Sequence, residues 1–197
     1  MLRAGWTNAT VFLVAAPRSN GGVFRAFFGF SQAGRNDYTT GLNLDCGPSA
    51  TPQLSSINSE GAGFSGATSL WRGPPVPFGA WHTFALTCQS GPSGVRFYVD
   101  GSPHGERERQ GGRLRLDSFA LGARHYSNSS EPPFTQGFFH GDIAEFLLYG
   151  RTLAAAERSG VEKYLAANYA ALLALPPLAA AQGARPLQSV TNAAAVT

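Results

Sequence analysis

The sequence predicts an all-β fold: a two-sheet antiparallel sandwich with one C-terminal α-helix. Three observations predict it. Of 197 residues, 24 are Gly and 13 Pro, while charged residues make up only 14%, a composition of many turns and few charged helices. Aromatic residues reach 12%, with 14 Phe, which suits strands around a filled interior. Short runs of period two follow one another as far as Tyr149, and beyond Thr152 the period becomes about 3.6.

The elements follow in order. Thr10–Ala16 (TVFLVAA) is a buried strand stopped by Pro17, and PRSNGG is a turn. Phe24–Ser31 is the next strand, and QAGRND a loop. Gly41–Cys46 sets Leu42 and Leu44 against Asn43 and Asp45, a half-buried strand. Gly47–Ser69 is Ser-, Gly- and Pro-rich and holds weak short strands, and Gly73–Gly79 is a stiff connection. Trp81–Cys88 and Val95–Val99 form a hairpin, with Phe84, Leu86 and Cys88 on one face of the first and Val95, Phe97 and Val99 on one face of the second. Asp100-Gly101 is a tight turn needing positive φ. Leu114–Leu116 and Phe119–Ala123 are short strands, His125–Gln136 a long polar loop, and Phe138–Tyr149 the last long strand.

The helix spans about residues 154–173, with Thr152 as N-cap and an apolar stripe of either Leu153, Val161, Leu165 and Tyr169 or, slightly rotated, Val161, Tyr164, Leu165 and Asn168. Its expected seat is one end or edge of the sandwich. Pro176-Pro177 stops it. Residues 1–174 are read as one domain and 175–197 as a linker or disordered tail.

The net charge of +3 is mild, and Lys163 is the one lysine among 15 basic residues. The densest basic stretch, Arg107–Arg115, is interleaved with Glu106 and Glu108 and reads as a solvated hairpin. That is no nucleic-acid footprint, so no nucleic-acid partner is expected. There is no apolar run of about 18 residues, so no membrane span is expected, and no secretory leader is visible. Cys46 and Cys88 each end a strand. They are either a disulfide, in an oxidising compartment, or two buried thiols.

Three segments resemble laminin-G-like jelly-roll domains of the concanavalin A-like lectin and glucanase superfamily. They are TVFLVAAP, WHTFALTCQSGPSGVRFYVDG, and LGAR followed by GFFHGDIAEFLLYGRTLAAAERSGVEKYLAANY. The resemblance covers about Thr10–Tyr169 and implies a jelly-roll sandwich. It also implies a module of a larger secreted or cell-surface, multidomain protein. Relatives often bind Ca2+ through loop oxygens, for which Asp37, Asp45, Asp117 and Asn128 are the candidates here. Glucanases of this fold carry paired carboxylates two or four residues apart on a strand. The nearest pair here, Asp142 and Glu145, is three apart, which on a regular strand sends them to opposite faces. His82, His104, His125 and His140 are scattered, and no nucleophile elbow is present.

Catalysis is therefore not expected. The expected function is recognition of a glycan or an extracellular protein by loops that combine an aromatic with polar groups. Those loops hold Arg35, Asn36, Asp37 and Tyr38; Trp71 and Arg72; and His125, Tyr126 and Asn128. The alternatives are a glycan hydrolase or lyase on the same fold, and a structural spacer.

Overall fold

A computed structural model describes residues 5–178. Ten strands form three antiparallel sheets among the described residues. The five-stranded sheet runs in the order β10 (Gly141–Tyr149), β1 (Ala9–Pro17), β4 (His82–Cys88), β5 (Gly91–Val99), β6 (Ser102–Arg109). The three-stranded sheet runs β3 (Leu42–Asp45), β2 (Ala26–Ser31), β7 (Ser118–Leu121). β8 (Arg124–Tyr126) and β9 (Phe134–Gln136) make a separate hairpin. Helix α1 is a single turn at Asp37–Thr40, α2 spans Ala155–Asn168, and α3 spans Ala170–Leu173.

Alternation builds the core. Leu13, Phe28, Phe84, Leu86, Phe97 and their neighbours point between the two larger sheets and are buried. Each contributes about 1.5–3 kcal/mol by leaving water. The faces expected for β4 and β5 are those observed. At the β5–β6 turn both Asp100 (φ 50°) and Gly101 (φ 78°) are left-handed, as a two-residue turn matched to strand twist requires.

Several expectations need correction. The stretch expected to be a solvated hairpin begins in β6, and Arg109 is buried with it. Its guanidinium donates to the carbonyls of Ala62 at 2.8 Å, Thr7 at 2.7 Å and Gly112 at 2.6 Å. It ties loops together where no strand pairs, which is why a charge is tolerated inside. The polar loop His125–Gln136 is closed at both ends by the β8–β9 hairpin. The helix lies across the outer face of the five-stranded sheet, where Leu153 and Leu165 pack with Phe12, Val14 and Ala85. Its N-cap is Ala154, whose N–H is held at 2.8 Å by Glu157. Thr152 instead donates to the Cys88 carbonyl at 3.2 Å. Cys46 and Cys88 are buried free thiols. Burial pushes the Cys88 thiol up to about 11 and raises that of Cys46 further. Of the expected tail, 179–197 lie outside the described residues, and Leu178 donates its N–H to the Gly79 carbonyl at 3.2 Å.

The strand geometry also revises the placement of Asp142 and Glu145. Register slips between Val14 and Ala15, which pair with Glu145 and Ile143 and leave Ala144 bulged. The extra residue puts both carboxylates on one face. That face is the outer one, shared with Ala16 and Val14. Asp142 pairs with Arg18 at 2.7 Å, and Glu145 accepts from the Tyr169 hydroxyl at 2.8 Å.

Candidate functional site

The other outer face, that of the three-stranded sheet, is polar and equally closed to water. Gly29, Asn43 and Asp45 line it, and α1 and the β8–β9 hairpin lie over it. The hairpin can approach because β2 carries Gly29 there. A Cβ at Gly29 would lie 2.8 Å from Asp37 Oδ2 and 3.3 Å from the Arg124 Cα. The same cover explains why β3 is buried on both faces, although its sequence alternates.

Arg124 is the centre of this layer, only 1% exposed. Its Nε and Nη2 donate to Asp37 at distances down to 2.8 Å, its Nη1 donates to Asp45 at 2.8 Å, and its Nη2 reaches Glu60 at 3.5 Å. Asn43 and Asn58 donate to Asp37 and Asp45, each at 3.1 Å. The Asp37 carboxylate also accepts the main-chain N–H of His125 at 3.0 Å, which fixes β8 to α1. A buried charge is sustained only with such partners. Burial nevertheless wins at Asp45 and pushes its carboxyl up to about 6, against the pull of Arg124. Burial alone would lower the Arg124 pKa, but Asp45 and Asp37 raise it above the ordinary arginine range.

Above the guanidinium sit two aromatic rings. Its Cζ lies 4.5 Å from the Tyr126 ring centroid and 5.1 Å from that of Phe24, and the two rings meet edge to face at 5.9 Å. Such contacts hold rings rigidly. Nearby, Asn36 donates to the Tyr38 hydroxyl at 2.8 Å and accepts from Ser127 N at the same distance. Tyr38 in turn donates to the Ser127 carbonyl at 3.1 Å. The result is a cavity of about 310 Å3, walled by Phe24, Tyr38, Tyr126 and Asn128 and floored by Arg124 and Glu60.

The expected loop residues divide. The segments 35–38 and 125–128 come together: Tyr38, Tyr126 and Asn128 line the cavity, and Asn36 and Asp37 support it from behind. Arg35 is exposed and His125 half-buried, and neither lines it. Trp71 and Arg72 are elsewhere. Trp71 is a core ring against Phe97 and His104, its Nε1 bonded to Pro74 O at 3.1 Å. Arg72 is exposed beside it. Sequence reasoning missed Phe24, Glu60 and Arg124. The one signal for Arg124 is its position in LGAR, where an arginine enters a strand directly after apolar residues.

The Ca2+ ligand set expected from the resemblance does not fit. Asp37 and Asp45 are engaged by Arg124, and Asp117 pairs with Arg115 at 2.9 Å. Among the described residues, no group of three or more His, Cys, Asp or Glu is arranged to hold a metal ion. The guanidinium supplies the positive charge at the centre of these carboxylates.

A larger cavity, about 710 Å3, lies away from this layer, between α2 and the β5–β6 turn. Some of its polar groups pair with one another, while the buried His82 Nε2 has no hydrogen-bond partner. His82 Nδ1 is 2.7 Å from Asp100, and Arg158 pairs with Glu162 while stacking over Tyr98 at 3.8 Å.

A two-sheet sandwich with a C-terminal helix on one face and a loop-walled cleft on the other is the architecture of lectin-like modules. The chain belongs to the concanavalin A-like lectin/glucanases superfamily, whose pattern matches residues 6–157. No curated protein matches it in sequence. Among solved structures it is similar to a heptameric SAP-like pentraxin from Limulus polyphemus, with TM-score 0.60 and 13% identity over 80% of this chain and 70% of that one. It is also similar to the CBM40 of a Ruminococcus gnavus sialidase bound to α2,3-sialyllactose, with TM-score 0.55 and 13% identity over 80% and 84%. A third is domain 4 of an arabinanase from Geobacillus stearothermophilus with arabinotriose, with TM-score 0.51 and 18% identity over 81% and 68%. At these identities the likeness is one of fold.

Proposed function

We propose that the protein is a non-catalytic carbohydrate-recognition module, and that the cleft over Arg124 is where it holds sugar. The observation that carries this is the aromatic wall of Phe24 and Tyr38, backed by the buried Tyr126 and held over a closed ionic network beside the exposed Asn128. Sugar rings stack their C–H faces on such rings, and polar side chains at the rim fix the hydroxyls. The network makes the wall rigid before a ligand arrives, which lowers the ordering cost of binding. Two of the similar structures hold oligosaccharides, which supports the same reading.

Hydrolysis is not supported by the carboxylates present. Asp142 and Glu145 lie on the helix-covered side, each with its own partner. Asp37 and Asp45 are inaccessible beneath Arg124. A spacer role does not call for a polar and aromatic cleft with Asn128 exposed at its rim. We further propose a secreted or cell-surface setting. Among the described residues, no helix is long and apolar enough to cross a membrane.

The test is a glycan array followed by calorimetry on wild type, Phe24→Ala and Asn128→Ala. Wild type binds a glycan, and each variant keeps its fold but loses about tenfold in affinity, as expected for one stacking or hydrogen-bonding contact. Retained affinity in both variants, or an empty array, would refute the assignment.

A further inference from the structure

We infer that the cleft is one half of a longer groove that takes neutral or amino-bearing sugar chains and discriminates against acidic ones; this rests on the carbohydrate reading above. A second cavity, of about 470 Å3, adjoins the first and shares Tyr38 and Ser65 with it. It is lined further by Phe64, Arg107, Glu108 and Gln110. Each cavity alone is at the small end of ligand sites, which run about 300–1,000 Å3. Two that meet at Tyr38 and Ser65 suit a chain of rings better than one ring.

The selectivity follows from which donors are already spent. Two carboxylates line the groove, Glu60 and Glu108, with Asp37 and Asp45 buried behind it. Two guanidiniums, Arg107 and Arg124, oppose them. Arg124 lies under the floor with its donors given to Asp37, Asp45 and Glu60. Arg107 donates to the carbonyls of Ser59, Gly66 and Ser65, each at 3.0 Å, and its guanidinium lies 5.2 Å over the Phe64 ring. Neither offers the open two-pronged face by which arginine grips a carboxylate. Arg35, though exposed, lines neither cavity.

A sugar carboxylate entering here would lose water and meet Glu60 and Glu108 with no open donor pair in return. Hydroxyl, acetamido and ammonium groups are donors, and the exposed Glu108 and the rim carbonyls are acceptors for them. The fold likeness to a sialyllactose-binding module therefore does not carry that specificity to this chain.

Calorimetry on the whole chain at pH 7.5 and low salt tests this. The probes are arabinose, three neutral trisaccharides (arabinotriose, maltotriose and N,N′,N″-triacetylchitotriose), a glucosamine trimer and α2,3-sialyllactose. At least one neutral or amino-bearing trimer binds tenfold or more tighter than both sialyllactose and arabinose. Glu108→Arg narrows the gap to sialyllactose by threefold or more. Sialyllactose binding as tightly as the best trimer overturns the charge inference, and arabinose matching the trimers overturns the two-cavity inference. In both cases the carbohydrate reading stands. Silence from all six probes removes that reading, and the inference with it.

Discussion

The two outer faces of this sandwich are closed in opposite ways. On the five-stranded sheet, α2 lays Leu153 and Leu165 against Phe12, Val14 and Ala85. On the three-stranded sheet, Arg124 and three carboxylates fill the space beneath α1 and the β8–β9 hairpin. The apolar seal is non-directional and tolerant of repacking. The ionic seal works only if every partner stays in place. A directional network can also aim side chains at solvent in fixed positions, which an apolar seal does not require. Both faces hold the fold, and the proposed function uses the one whose partners are fixed in direction.

The largest expected effect breaks the ionic face. Arg124→Met strands Asp37, Asp45 and Glu60 without counter-charge and costs about 3–5 kcal/mol in urea unfolding. Adding Asp37→Asn, Asp45→Asn and Glu60→Gln restores part of that loss, because the cost is uncompensated charge and not missing volume. No recovery would contradict the charge account.

Next is the apolar face. Leu165→Ala costs about 2–4 kcal/mol through the cavity it leaves, yet leaves glycan affinity unchanged. Loss of affinity in a folded Leu165→Ala protein would join two faces that are separate here. Gly29→Ala comes third, at about 1–3 kcal/mol from forced crowding. Its Cβ pushes on Asp37 and the Arg124 backbone, so it also weakens glycan binding.

A smaller effect concerns pH. The Asp45 carboxyl titrates near 6 in the folded protein and near 3.8 in the unfolded chain. Between those values the folded state retains a proton that the unfolded chain has released. This group's stabilisation is therefore full below about pH 4, is lost as pH rises through 6, and is constant above. The Asp45→Asn protein shows a flatter thermal stability between pH 4 and 6. An unchanged slope would place the titration elsewhere.

The two faces also differed in how far the sequence revealed them. The helix and its stripe follow from a period of 3.6 and a proline stop, and the β4–β5 hairpin from alternation. Which surface the helix would cover does not follow, because its stripe fits any apolar partner. The ionic face was half visible. Tyr38, Tyr126 and Asn128 show as aromatic and polar loop residues, but Arg124, Glu60 and Phe24 do not. Charge in a sequence reads as solvent exposure, and both Arg109 and Arg124 defy that because their partners come from distant segments. The bulge at Ala144 was hidden for a different reason: alanine fits a bulge and a regular strand equally well. Trp71 erred the other way, since an aromatic in a Gly- and Pro-rich stretch looks like a rim residue and is a core ring.

The most direct test is amide chemical-shift mapping of the labelled protein during titration with the trisaccharide that binds best. Shifts confined to residues 36–38, 60–67, 107–110 and 124–128 are the predicted result. Shifts centred on His82, Asp100 and Glu162, beside the helix, would contradict it and move the sugar to the opposite face.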